Sequence, residues 1–119
     1  MKILLKEMSF WVAIGLLLPQ LRFDRELFDF GRIPRGTPVK TTFRFVNDGA
    51  APLVIYSAEA GCGCTTASFT REAVSPGHSG TIAVTFDAAT PGRFEKQIVV
   101  RSNAKPEVKV LYIRGDVVR

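Results

Sequence analysis

The 119-residue chain is poor in the residues that carry most chemistry: one histidine, two cysteines, two methionines and one tryptophan. With a single His, a Ser/His/Asp triad must run through His78, and no nucleophile elbow accompanies it. Structural zinc wants four ligands, and two thiols with one imidazole fall short of that within one copy. There is no phosphate-binding glycine loop. The acidic residues stand singly, so no carboxylate pair offers general acid and base. The formal net charge is +5, yet no block of five or six like charges occurs. Basic residues spread this thinly make a solvated surface rather than a nucleic-acid stripe. No apolar run reaches the roughly 20 residues of a comfortable membrane span.

The apolar residues that are present favour Val, Ile and Phe, with nine Phe, a composition suited to strands. Residues 1–20 read differently from the rest. Lys2 and Lys6 precede an apolar stretch from Met8 to Leu18, and Pro19 ends it. That is the shape of a secretory signal, expected as a hydrophobic leader helix. The small residues of a cleavage site are missing around Leu17-Leu18-Pro19. The segment is therefore expected to be either a removed signal peptide or an uncleaved anchor that tethers the domain to a membrane.

From Leu21 onward the period changes. Val39, Thr41, Phe43 and Phe45 fall on one face of a strand, with Lys40, Thr42 and Arg44 on the other. Ile82, Val84 and Phe86 alternate in the same way, as do Phe94, Lys96, Ile98 and Val100. Lys96 is the misfit on that inner face and belongs at a strand end or an edge. Asp48-Gly49 has the chemistry of a tight hairpin. Pro34-Arg35-Gly36, Pro76-Gly77 and Pro91-Gly92 are turns. Six or seven strands with no helix after the leader predict an all-β, antiparallel β-sandwich over residues 21–119.

An ordered series of segments then carries a resemblance: FDFGRIPRG, FRFVNDGAAPLVI, GCGCT, SPGHSGTIAVTFD, PGRFEKQIVVRSN and IRGDV. Together they closely resemble a bacterial domain-of-unknown-function family, number fifteen-seventy-three, related to Hydin-type and PapD-like immunoglobulin-like domains. The likeness covers residues 23–118. It implies an immunoglobulin-like sandwich of about seven strands. It also implies an exported protein in the periplasm or cell envelope of a Gram-negative bacterium. The family has no established activity, so no catalytic residue and no cofactor carry over.

What carries over is the motif Cys62, Gly63, Cys64 and Thr65, the one place where residue types could do chemistry. Three readings stand open. An oxidising compartment favours a Cys62–Cys64 disulfide. On an extended strand the two Cα atoms would sit roughly 6.5–7 Å apart, at the limit for a bridge, unless Gly63 bends the chain. Alternatively both thiols stay reduced and fill a tight seam between sheets. Third, a two-thiolate metal site is chemically feasible. The functional expectation is a non-catalytic module that binds a protein or an envelope component and not nucleic acid. It would act through an edge strand or the loop end near Cys62–Thr66. The alternative is a thiol redox or metal-binding module built on Cys62-Gly63-Cys64.

Overall fold

The computed structural model describes residues 18–119. The leader helix expected over residues 1–20 lies, up to residue 17, outside the described residues. Leu18–Gln20 are bonded to the domain: the Leu18 carbonyl accepts from Ala50 N at 3.2 Å, and the Gln20 carbonyl from Asp48 N at 2.9 Å.

Eight strands follow in order: β1 (Leu21–Phe23), β2 (Leu27–Pro34), β3 (Val39–Asn47), β4 (Ile55–Ala60), β5 (Thr65–Phe69), β6 (Ser79–Phe86), β7 (Gly92–Ser102) and β8 (Val108–Val118). They form two four-stranded sheets, β1-β3-β6-β5 and β2-β8-β7-β4. No helix occurs among the described residues. The alternation along β3 and β6 holds residue by residue: Thr41, Phe43, Phe45, Ile82, Val84 and Phe86 are buried. The five apolar ones meet Ile98, Val100, Leu111 and Ile113 from the second sheet in one apolar cluster. Each sheet has only one apolar face, and stacking the two buries both.

The sandwich is all-β as expected, but one pairing departs from the antiparallel expectation. β2 runs parallel to β8, from Leu27 opposite Tyr112 to Pro34 opposite Val118. The cause lies at Asp24–Glu26. The loosely alternating stretch from Phe23 to Phe30 is split there between two sheets. Phe23 stays with β3, edge-on to Phe45 with ring centroids 5.8 Å apart. The Glu26 carbonyl accepts from Tyr112 N at 2.8 Å and starts the chain along β8.

The Asp48-Gly49 hairpin is a second correction. β3 and β4 belong to different sheets, so no hairpin joins them. Gly49 is required for close approach instead, because a Cβ there would run into the Leu18 carbonyl and Gln20 N. Asn47 organises this end of the sandwich. Its buried amide nitrogen donates to Ala51 O at 2.8 Å and Val74 O at 2.9 Å. Its Oδ1 accepts from Gly49 N at 3.0 Å and Gln20 N at 3.2 Å. Lys96 sits half-buried on β7 just beyond Ile98, where the β4 pairing ends, so that stretch of β7 is a local edge.

Candidate functional site

The motif lies at a corner. β4 ends at Ala60, paired with Ile98 of the second sheet. β5 begins at Thr65, paired with Phe86 of the first. Residues 61–64 carry the chain from one sheet to the other, between two edge strands. The structure joins Cys62 and Cys64 in a disulfide, with Cα atoms 5.3 Å apart. That is well inside the range a bridge tolerates. The corner accounts for the difference from the extended-strand estimate, since the motif lies outside both strands. Gly61 and Gly63 are exposed with open space where a Cβ would project.

Thr65 anchors the corner from below. Its buried hydroxyl lies 3.6 Å from Cys64 Sγ and 4.0 Å from Cys62 Sγ. Thr65 N reaches Cys62 O at 3.4 Å, and Cys64 O accepts from Asp87 N at 2.9 Å. The sulfurs are half-buried, and Cys64 packs against the core. A ring spanning one intervening residue adds little through chain entropy, roughly 1.5 kcal/mol at most. The bridge therefore shapes the corner more than it stabilises the fold.

The other residues that could have joined this chemistry lie elsewhere. His78 sits at the opposite end of β6, with Nδ1 3.3 Å from Pro76 O. Arg71 lies over the Phe69 ring at 4.7 Å, at the far end of β5. Among the described residues no three of His, Cys, Asp and Glu gather to hold a metal.

The topology also shows which edges are open. β1 has three residues and carries Arg22. β2 carries Asp29, Arg32 and Pro34, with a register shift between Asp29 and Arg32 where Gly31 takes φ +69°. β4 carries Glu59 and is irregular between Ile55 and Ser57. Short length, charge, proline and bulges are the usual protections of an edge. β5, Thr65-Thr66-Ala67-Ser68-Phe69, is short at five residues but has a regular register and carries no charge, proline or bulge. Antiparallel alternation fixes which backbone groups are free. Cys64 O and Thr70 N bond to the β6 side, at Asp87 and Thr81, so the even-numbered residues face β6. The N–H and C=O of Ala67 and Phe69 therefore point away from the sheet, and no strand among the described residues meets them there. The sequence points to the loop end of this segment but not to the strand, because only the register reveals which edge is unprotected.

Comparison with solved structures shows the same architecture. A protein of unknown function from Porphyromonas gingivalis W83 superposes with a TM-score of 0.75 at 17% identity, over 87% of this chain and 49% of that one. The Vibrio cholerae protease VesB gives 0.69 at 19% identity, over 82% of this chain and 32% of that one. The ASH / PapD-like domain 7 of human CEP192 gives 0.66 at 10% identity, over 86% and 87%. The chain thus spans about half the length of the first and a third of the second. At these identities the likeness is one of immunoglobulin-like fold. No curated protein matches the chain. The sequence match is to a family, and over residues 21–117 the chain belongs to the one described as a protein of unknown function, DUF1573.

Proposed function

We propose that this domain is a non-catalytic protein-interaction module that takes an extended segment of a partner along the open edge of β5. The observation that carries the proposal is the edge itself: five uncharged, regularly paired residues with the backbone groups of Ala67 and Phe69 turned outward. Strand addition gains its affinity from such main-chain groups. The likeness to a PapD-like domain is in keeping with an interaction role. The corner at Cys62–Thr65 fixes where the added strand must stop. On this reading the basic-then-apolar start of the sequence delivers the domain to the cell envelope, where the partner is a protein or an envelope component, and a Cys62–Cys64 bridge suits an oxidising compartment.

The thiol-exchange alternative draws on the bridge alone. Neither Arg71 nor His78 reaches the sulfurs, so neither is placed to activate a thiolate. The test uses a displayed library of random peptides panned on the domain. Ala67→Pro removes an outward N–H without touching the β6 ladder, a position that edge strands tolerate. Peptides selected on the native domain are expected to bind the Ala67→Pro variant at least tenfold more weakly. Equal binding would overturn the reading.

A further inference from the structure

The outer face of the second sheet carries charges that look scattered in the sequence and are ordered by the register. Asp29, Arg114 and Glu95 lie side by side across β2, β8 and β7. Two residues further along β8 lie Arg32, Asp116 and Arg93, again side by side. The first row reads minus, plus, minus and the second plus, minus, plus. The apolar pair Leu27 and Tyr112 flanks the first row, and Pro34 and Val118 flank the second. Along β7 and β8 the signal is visible as Arg93-x-Glu95 and Arg114-x-Asp116, two positions apart and so on one face.

Opposite charges across strands stabilise a single sheet, but this pattern has a second property. Let a copy of the face be rotated by a two-fold axis that lies in the plane of the face, runs across the strands and passes between the rows. Asp29 then falls over Arg32 of the second copy, Arg114 over Asp116, and Glu95 over Arg93. All six charges meet opposites, and Leu27 and Tyr112 fall over Pro34 and Val118. A two-fold running along β8 instead places Asp29 over Glu95 and Arg32 over Arg93, and every pair repels. An isologous interface needs a self-complementary patch, and this one is self-complementary about one axis only.

We infer that two copies of this chain associate face to face through the β2-β8-β7 surface, about the two-fold axis that crosses the strands between the two charge rows. The inference goes beyond the strand-addition reading and does not depend on it, since β5 belongs to the other sheet. The groups suit the role. Asp29 and Arg114 are each about half exposed, 50% and 52%, although they are 3.1 Å apart, so an exposed pair of this kind contributes little alone and keeps bonding capacity for a partner. The rows line a shallow depression of about 750 Å³, so the facing charges need not be fully stripped of water to pair. Three strands spaced about 4.8 Å apart cover less than the roughly 800 Å² per partner of a standard stable interface. The dimer is accordingly weak, steeply salt-dependent and visible in a concentration series.

The test is sedimentation or light scattering on the domain up to millimolar concentration, at low and high salt. The native protein is expected to shift from monomer toward dimer with concentration and to revert when salt is raised. Arg93→Glu sets a carboxylate over Glu95 of the second copy, and Glu95→Arg sets a guanidinium over Arg93 of the second copy. Each variant alone is expected to stay monomeric. An equimolar mixture of the two is expected to form a heterodimer, because every cross-copy pair is opposite again. Each charge reversal also places like charges beside Asp116 or Arg114 within the sheet. The neutral double replacement Arg93→Gln with Glu95→Gln avoids this, and is expected to weaken association at least tenfold and to flatten its salt dependence. A native protein that is monomeric throughout would overturn the inference. So would a mixture that fails to associate while both variants remain folded, or a neutral double variant that associates as the native protein does.

Discussion

The ring of Phe45 lies against Gly80 with no room for a side chain between them. The two residues face each other across β3 and β6, and a Cβ at position 80 would sit 2.5 Å from Phe45 Cζ. Gly80→Ala must therefore push a fully buried ring out of place. Overpacking of this kind costs about 1–3 kcal/mol. Urea denaturation is expected to show a loss of that size. Adding Phe45→Leu is expected to recover part of it, a coupling that a double-mutant cycle measures directly.

Asn47 ties together three stretches of chain that share no strand. Its amide nitrogen serves Ala51 and Val74, and its oxygen serves Gln20 and Gly49. Asn47→Ala removes all four of these bonds, leaves the Val74 carbonyl with only the Leu53 N–H at 2.9 Å, and opens a cavity. Hydrogen bonds of this kind contribute about 0.5–1.5 kcal/mol each, so the variant is expected to lose at least about 2 kcal/mol in chemical denaturation. Asn47→Asp keeps the oxygen but forfeits both donated bonds, and is expected to be no better.

The double replacement Cys62→Ser with Cys64→Ser separates a corner that shapes from a bridge that holds the fold. Because the ring spans one residue, the expected loss is under about 2 kcal/mol. The domain should remain folded, and peptides selected on the native protein should still bind. Unfolding at room temperature would show that the bridge is structural.

Acid stability has a defined contributor in Asp29. The Gly31 N–H, bonded to it at 2.8 Å, and then the Arg114 guanidinium hold its carboxyl below the ordinary value of 3.8. A depressed carboxylate favours the folded state at pH above 3.8, and that contribution fades as pH falls through the lowered folded value. Lys105 holds Glu107 below its ordinary 4.5 in the same sense. Asp29→Asn is therefore expected to lower the melting temperature slightly at pH above 3.8 and to leave it unchanged in stronger acid, so that the acid decline becomes shallower.

Much of the fold was legible because period two survives in the sequence. Phe43, Phe45, Ile82, Val84, Ile98 and Val100 mark their own inward faces, and all six are fully buried. What failed was partner choice. Asp48-Gly49 has hairpin chemistry, but Asn47 spends its hydrogen bonds on Val74 and Ala51 and sends the chain to the other sheet. The parallel β2–β8 pair is invisible locally, since nothing in either strand specifies direction. The cysteine motif is plain in the sequence, yet its bridge follows from the 61–64 corner, which only the two-sheet topology creates. The open β5 edge and the charge rows likewise depend on register between strands far apart in sequence.

The most direct test of strand addition at β5 is amide exchange, residue by residue, with and without a peptide selected on the native domain. The Ala67 and Phe69 amides are expected to exchange freely in the domain alone and to become protected when the peptide binds. The even-numbered amides of Thr66 and Ser68, already turned to β6, should change far less. Protection that appears elsewhere while Ala67 and Phe69 continue to exchange would contradict the proposal.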